Sequence, residues 1–446
     1  MQADDGVRLP PFRKLTLTNG LTLVLLERHQ VPLVSFRVLI RAGGVDDPAG
    51  REGLALLTTE LLQHGTQRRS ATQIAAELDF MGASFEAGGD PDRTWISGEF
   101  MKKDAVAAID LLGDLLQHPS FPSTEVKKLV KQEVDGIKQA KEEAGSVLPL
   151  YFASALYGSH PYGRPSGGDE RSLAAIRRSD VAGFYQNHYG PATAVLVLAG
   201  DFSSADMERI VSDKFGGWKA RSPISTKQAA AATPVSGRRL LLINKPDSPQ
   251  TFFAIGQVGI ARDNPDRTGL ELVNLLFGGR FTSMLNEALR VNSGLTYGAR
   301  SRFQPHRAPG PFMISSFTAT ATTTNALDLA LEVLDQLHRQ GISEEQLRSA
   351  KDYLKGQYPL RLETTDQLAA LLADLEFFGL DAREVNEFFQ RVDALTTADA
   401  RHLIGQYFPR ENLVITLIGK AAELENAVRK YAPLIEKREI SQPGFK

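Results

Sequence analysis

The chain has 446 residues, 42% of them hydrophobic and 23% charged, with a formal net charge of −2. That length suffices for two to four domains with a sizeable core, and the near-neutral balance gives no reason to expect nucleic acid or an anionic membrane as the main partner. Cysteine is absent, which excludes disulfides, thiolate metal sites, iron–sulfur clusters and cysteine nucleophiles, and no apolar run approaches bilayer length.

Met1-Gln2-Ala3-Asp4-Asp5-Gly6 is polar and lacks the charged and apolar regions of a secretory signal. It reads as a native start or, as Gln2-Ala3-Asp4-Asp5 suggests, as the beginning of a processed secreted chain, so the bacterial periplasm is the expected compartment and the cytoplasm the alternative. Alternating apolar runs such as Leu33-Val34-Ser35-Phe36-Arg37-Val38-Leu39-Ile40 predict strands. Their richness in Val, Ile, Leu and Phe suits a sheet packed on one face. Helical patterns follow over about 51–64, 71–80, 103–116 and 123–142, and later over about 267–277, 282–292, 324–340 and 343–357. Ser123 and Ser343 stand where N-caps belong.

The two parts of the chain repeat each other at an offset of about 217 residues. Val24-Leu25-Leu26-Glu27-Arg28, Pro32, Phe36, Asp47-Pro48 and Gly53-Leu54 return as Leu241-Leu242-Ile243-Asn244-Lys245, Pro249, Phe253, Asn264-Pro265 and Gly269-Leu270. A period this long means duplicated domains rather than a short-repeat solenoid. Strands grouped with segregated helices make the expected class α+β: two homologous domains, each an antiparallel sheet packed with helices. The expected bounds are 1–220 and 237–446, with a Gly-, Pro-, Ser- and Ala-rich linker over 221–236.

Several short motifs then occur in a fixed order. They are Leu17-Thr18-Asn19-Gly20-Leu21, Gly43-Gly44, Gly65-Thr66, Tyr157-Gly158-Ser159-His160-Pro161-Tyr162-Gly163, Gly278-Gly279-Arg280-Phe281-Thr282-Ser283-Met284-Leu285, and Arg290 with Gly294-Leu295-Thr296-Tyr297. In this order and spacing the chain resembles the pitrilysin/insulinase family of zinc metallopeptidases, the inverzincins. Within it, the likeness is to the shorter bacterial and processing-peptidase-like members, over nearly the whole chain.

That family carries H-x-x-E-H on a helix. Two histidines on one helix face hold Zn²⁺, the intervening Glu is the general base, and a Glu about 75 residues downstream completes the ligands. Here the alignment puts Leu56 and Glu60 at the histidine positions, Thr59 at the base position and Gly136 at that of the distal Glu. Leu offers no lone pair and Thr is no carboxylate base, so the resemblance implies a degenerate motif with no metal in this chain. Glu60 and His64, four residues apart, are the best local pair left, although two polar groups near a helix end are the plainer reading. His160 reads as part of a structural turn.

Arg290 and Tyr297 remain intact. A helix-terminal Arg and a core Tyr are each commonplace, but in the family such a pair faces the zinc from the second domain. A phenol or guanidinium there stabilises the charge that builds on a peptide carbonyl under attack. Seven residues apart, the two share a face if the segment stays helical; Gly294 instead points to a helix end, with Tyr297 at a strand start.

The resemblance therefore implies half of a clamshell. This chain is expected to be the non-zinc subunit of a heterodimeric peptidase, contributing Arg290 and Tyr297 in trans. A homologous partner would supply H-x-x-E-H and zinc, and peptides would be the substrates. A non-catalytic peptidase-like scaffold and a peptide-binding homodimer are the alternatives.

Overall fold

A computed structural model describes residues 6–219 and 229–446. The start Met1–Asp5, and residues 221–228 of the expected linker, lie outside the described residues.

Two six-stranded sheets organise the molecule. The first contains β1 (Arg13–Thr16), β2 (Thr22–Glu27), β3 (Leu33–Ile40), β4 (Glu86–Gly89), β5 (Thr94–Met101) and β6 (Ala194–Gly200), in the order β1-β2-β6-β3-β5-β4. The second contains β7 (Arg239–Asn244), β8 (Gln250–Val258), β9 (Ala299–Phe303), β10 (Pro311–Ala319), β11 (Val414–Gly419) and β12 (Leu434–Glu439), in the order β12-β7-β11-β8-β10-β9. From the second strand onward the two orders are the same, as the internal repeat requires. The starts of β2, β3 and β5 (Thr22, Leu33, Thr94) and of β7, β8 and β10 (Arg239, Gln250, Pro311) each differ by 217. The sheets are antiparallel in their larger part, but β2–β6, β7–β11 and β7–β12 pair in parallel.

Burial departs from the expectation of one packed face. On β2, Leu23 and Leu25 enter one core, and Val24 and Leu26 another. On β7, Leu240 and Leu242 face one core while Leu241 and Ile243 face another. Both faces of each sheet are covered, which is why these strands read as continuous apolar runs.

The cover on the second face comes from the other half of the chain. Helix Ala144–Tyr157 lies against β8 and β11 of the second sheet, burying Val147, Leu148, Tyr151 and Phe152 with Leu241, Ile243 and Ile418. Helix Thr365–Phe378 lies against β3 and β6 of the first sheet, burying Leu368, Leu372 and Leu375 with Val24, Leu39 and Val197. Each half thus completes its sandwich with a helix lent by the other. Near 25 cal/mol per Å² of buried apolar surface, exchanged helices of this size join the halves by many kcal/mol.

A buried polar seam joins the halves as well. The Tyr162 hydroxyl donates to the Asp92 carboxylate (2.8 and 2.9 Å) and accepts from the Ala308 amide (3.0 Å). The Arg307 amide donates to Asp92 Oδ2 at 2.9 Å. His160 Nδ1 accepts from the Tyr162 amide at 3.1 Å, so this histidine caps a turn.

The helices expected from the sequence are present, with local differences. Leu54–Glu60 continues as a tighter turn, Leu61–His64. Arg267–Asn274 and Met284–Asn286 each run on as wider π-helical turns, Leu275–Gly279 and Glu287–Asn292. Ser343 accepts from the Gln346 amide as an N-cap. Ser123 does not cap: Pro122 occupies that position and Ser123 opens the helix Ser123–Glu142. Among the described residues, no helix is long and apolar enough to cross a membrane.

Candidate functional site

Helix Leu54–Glu60 begins at Gly53, whose φ of 94° is left-handed. A Cβ there would come within 2.9 Å of the Gly167–Gly168 backbone, so only glycine fits. The buried Asp47 accepts from the Gly53 and Ala55 amides, both at 2.8 Å, and so satisfies the free end of the helix. Burial pushes its carboxyl up to about 8, against the pull of those two amides.

The helix then presents the four positions of interest. Leu56 is half-buried and carries no donor atom. Thr59 is buried, and its hydroxyl is engaged with Ala55 O (2.9 Å) and the Tyr189 hydroxyl (2.7 Å). Glu60 is half-buried, and burial, with the charge of Glu133 adding, pushes its carboxyl up to about 7. Gly136 is exposed on helix Ser123–Glu142. The acidic residue which that helix turns toward Glu60 is Glu133, one turn earlier, a neighbour the spacing argument missed. His64 Nδ1 sits 3.2 Å from Glu125 Oε2. Among the described residues, no group of three or more His, Asp or Glu side chains is placed to hold a metal ion. A leucine, an engaged hydroxyl and one protonatable carboxylate do not fit zinc, which requires three or four N, O or S ligands.

The second candidate lies on the second half. Gly278 passes so close to β9 that a Cβ would meet Ser301 N at 2.5 Å, so the Gly-Gly step is a steric requirement of this turn. The turn delivers Phe281, and the π-helical segment Glu287–Asn292 delivers Arg290. π-Helical turns are rare and occur often at functional sites. The guanidinium of Arg290 sits 4.5 Å from the Phe281 ring centroid, within cation–π range.

After Gly294 (φ 64°) the chain is pinned by the Leu295 and Thr296 amides, which both donate to Leu289 O (2.9 and 3.2 Å). Thr296 Oγ1 accepts from the Gly298 amide at 3.1 Å. Tyr297 stands between these anchors, two residues before β9, with 80% of its surface exposed. Among the described residues, neither the Tyr297 nor the Arg290 side chain makes a hydrogen bond or ion pair. Phe281 and Val291 beside them are also exposed. The segment thus offers an exposed phenol and, half-buried against Phe281, a guanidinium without an ion-pair partner among the described residues. Phe281 lies within the Gly278–Leu285 motif, but nothing in the sequence says that its ring will stack on Arg290.

The structure is thus a duplicated sheet-and-helix frame with exchanged helices, in which helix Leu54–Glu60 carries no metal-ligand set among the described residues. Residues 23–170 match the model described as insulinase, peptidase family M16, and residues 175–354 match that of the peptidase M16 inactive domain. The chain belongs to the M16 family, the insulinase/pitrilysin peptidases. It is similar to an uncharacterized zinc protease of Mycobacterium tuberculosis, with 25% identity covering 91% of this chain and 93% of that one. The crystal structure of a peptidase M16 inactive domain from Pseudomonas fluorescens superposes with a TM-score of 0.86 at 26% identity, covering 92% of this chain and 98% of that one. A protease from Helicobacter pylori shares the fold, with a TM-score of 0.84 at 19% identity, covering 92% and 100%.

Proposed function

We propose that this chain is the non-zinc subunit of a two-chain M16 peptidase. A homologous partner with H-x-x-E-H supplies the zinc site, the two chains close on each other as a clamshell, and peptides are cleaved in the space between them. The observation that carries this reading is a contrast. Positions 56–60 hold no ligand set, while Tyr297 is exposed and Arg290 half-buried against Phe281, neither side chain having a hydrogen-bond or ion-pair partner among the described residues. In the complex Arg290 binds peptide carbonyls as a fixed fork of donors. The Tyr297 hydroxyl donates to the carbonyl oxygen as charge builds on it, an interaction stronger in the transition state than in the ground state. Along the chain the units are 1–220 and 237–446, joined by 221–236, each completed by the helix it borrows.

The test is peptide hydrolysis by the complex with the H-x-x-E-H chain that co-purifies with this one. Loss of one such donor costs ~10²–10³ in turnover. Tyr297→Phe is expected to lower kcat by that order while leaving co-purification intact. An unchanged kcat removes Tyr297 from the chemistry. A partner equally fast without this chain favours the second reading, a non-catalytic scaffold, which the dismantled positions 56, 59 and 60 also suit.

A further inference from the structure

Burying a guanidinium is costly unless carboxylates or other acceptors answer it. At one place in this molecule the answer is incomplete. Four arginines from four segments converge on two rings at the C-terminal end of helix Thr365–Phe378. Arg93 lies 4.8 Å from the Phe377 centroid and 5.2 Å from that of Phe378. Arg307 and Arg41 lie 5.5 and 5.9 Å from Phe377, and Arg262 lies 5.5 Å from Phe378. Arg41 follows β3, Arg93 sits in the β4–β5 turn, Arg262 follows β8, and Arg307 is in the β9–β10 loop.

Among the described residues only Arg93 of the four is fully matched, by Asp374 at 2.7 Å and Asp90 at 3.1 Å. Arg41 approaches Glu376 at 3.5 Å, but Lys14 already holds that carboxylate at 2.5 Å. Arg262 comes no closer than 3.9 Å to Glu384, which Arg267 holds in a shorter contact. Nη1 of Arg262 is buried with no hydrogen-bond partner among the described residues. Arg307 has no ion-pair partner among the described residues. Burial holds both Arg41 and Arg262 below the usual guanidinium range; the nearby Arg307 adds to this for Arg41, and Arg267 for Arg262.

A cleft of about 410 Å³ opens here, lined by Arg41, Arg262, Arg307, Phe378, Asp263 and Glu376. Capping explains part of this arrangement. Arg41 donates to the Glu376 and Phe377 carbonyls at 3.4 Å, as a cation at a helix C-terminus does. It does not explain Arg307 or Arg262.

We propose that this cleft binds the carboxylate of a peptide, held by the guanidinium groups of Arg41, Arg262 and Arg307, with the adjoining apolar side chain against Phe378. Guanidinium forks match a planar carboxylate in two parallel hydrogen bonds. The volume exceeds what a bare ion needs and leaves room for the organic part of the ligand. Asp263, exposed at the same cleft, repels a second negative charge, which favours a monocarboxylate over a phosphate dianion. The peptidase reading enters only in the choice of a peptide as carrier of the carboxylate.

The test uses the full chain alone, titrated by calorimetry at constant ionic strength with N-acetyl-phenylalanine, its amide, and inorganic phosphate. A charge-assisted hydrogen bond of ~1.5–3 kcal/mol corresponds to a loss of at least ~10-fold. The acid is expected to bind saturably, and the amide and phosphate at least ~10-fold more weakly. Arg307→Ala is expected to weaken the acid by a similar factor. Arg307→Lys keeps the charge without the fork, guards against misfolding of the alanine variant, and is expected to fall between. Equal binding of acid and amide, or parent-like binding by both variants, overturns the proposal. Phosphate binding as tight as the acid assigns the cleft to inorganic anions and overturns it too. Neither partner nor hydrolysis enters this assay, so its failure leaves the Arg290/Tyr297 reading standing, and failure of that reading leaves this one intact.

Discussion

Leu372 belongs by sequence to the second half of the chain and by packing to the first. It is 2% exposed on helix Thr365–Phe378, in one core with Val24, Leu26, Leu39, Val195 and Val197. Leu372→Ala removes buried methyl groups from a site closed by a sheet on one side and its own helix on the other. Such truncations cost ~2–5 kcal/mol, and the close packing here places this one at about 3 kcal/mol. The assay exploits an accident of composition. The chain has two tryptophans, Trp95 and Trp218, both in the first half, and Trp218 is buried in its core. Tryptophan fluorescence therefore reports the first sheet, while far-UV circular dichroism reports both. In urea, with a slope of ~3 kcal/mol per M or more for a chain of this size, the fluorescence midpoint is expected to fall by up to about 1 M. The dichroism midpoint is expected to fall with it. If the fluorescence transition stays at the parent midpoint while dichroism moves, the helix does not stabilise the first sheet and the exchange is not energetic.

Glu60 supplies a pH prediction. Its folded carboxyl is raised from the ordinary 4.5 to about 7, so between those values the folded state keeps a proton that the unfolded state has released. Stability then falls as pH rises through that window, and the full penalty stands above pH 7. Glu60→Gln is expected to match the parent below pH 4.5 and to exceed it by about 1–2 kcal/mol at pH 8, after discounting for solvent screening; equal unfolding midpoints at pH 8 contradict the burial argument. At the seam, Tyr162→Phe takes the hydroxyl from Asp92 Oδ1 and from the Ala308 amide, leaving Asp92 only its Oδ2 bond to the Arg307 amide among the described residues. Stability is expected to drop by about 2–4 kcal/mol, with faster hydrogen exchange at Ala308; unchanged protection there means that the phenol does not hold the loop.

Much of this architecture was legible in the residues. The repeat between Val24–Arg28 and Leu241–Lys245 foretold two sheets of one topology. The segments 71–80, 123–142 and 343–357 carried polar and apolar faces that forecast their helices, because each packs on one side only. Helix Ala144–Tyr157 was not foreseen. It is buried around much of its circumference and carries Pro149 inside, so no apolar stripe marks it. Its partner sheet begins at Arg239, beyond any local window. The π-helical turns were equally silent, since a one-residue widening leaves little trace in composition.

At the candidate site, Leu56 and Thr59 stand out in the sequence only once the family resemblance places them at the motif positions. The position of Tyr297 after a helix end was readable from Gly294, although it precedes β9 rather than opening it. Glu133 and Phe281 were not readable, because their roles come from neighbours that only the folded chain assembles.

The helix exchange also sets a schedule for the ribosome. Chains emerge from the N-terminus, so Val147, Leu148, Tyr151 and Phe152 leave the exit tunnel well before β8 exists to cover them, and β11 at Val414–Gly419 follows later still. The first sheet waits in turn for Thr365–Phe378. At ~5–20 residues per second the nascent chain carries two uncovered apolar faces for tens of seconds. A newborn copy therefore keeps uncovered, until synthesis is nearly complete, apolar surface of the kind that holding chaperones bind.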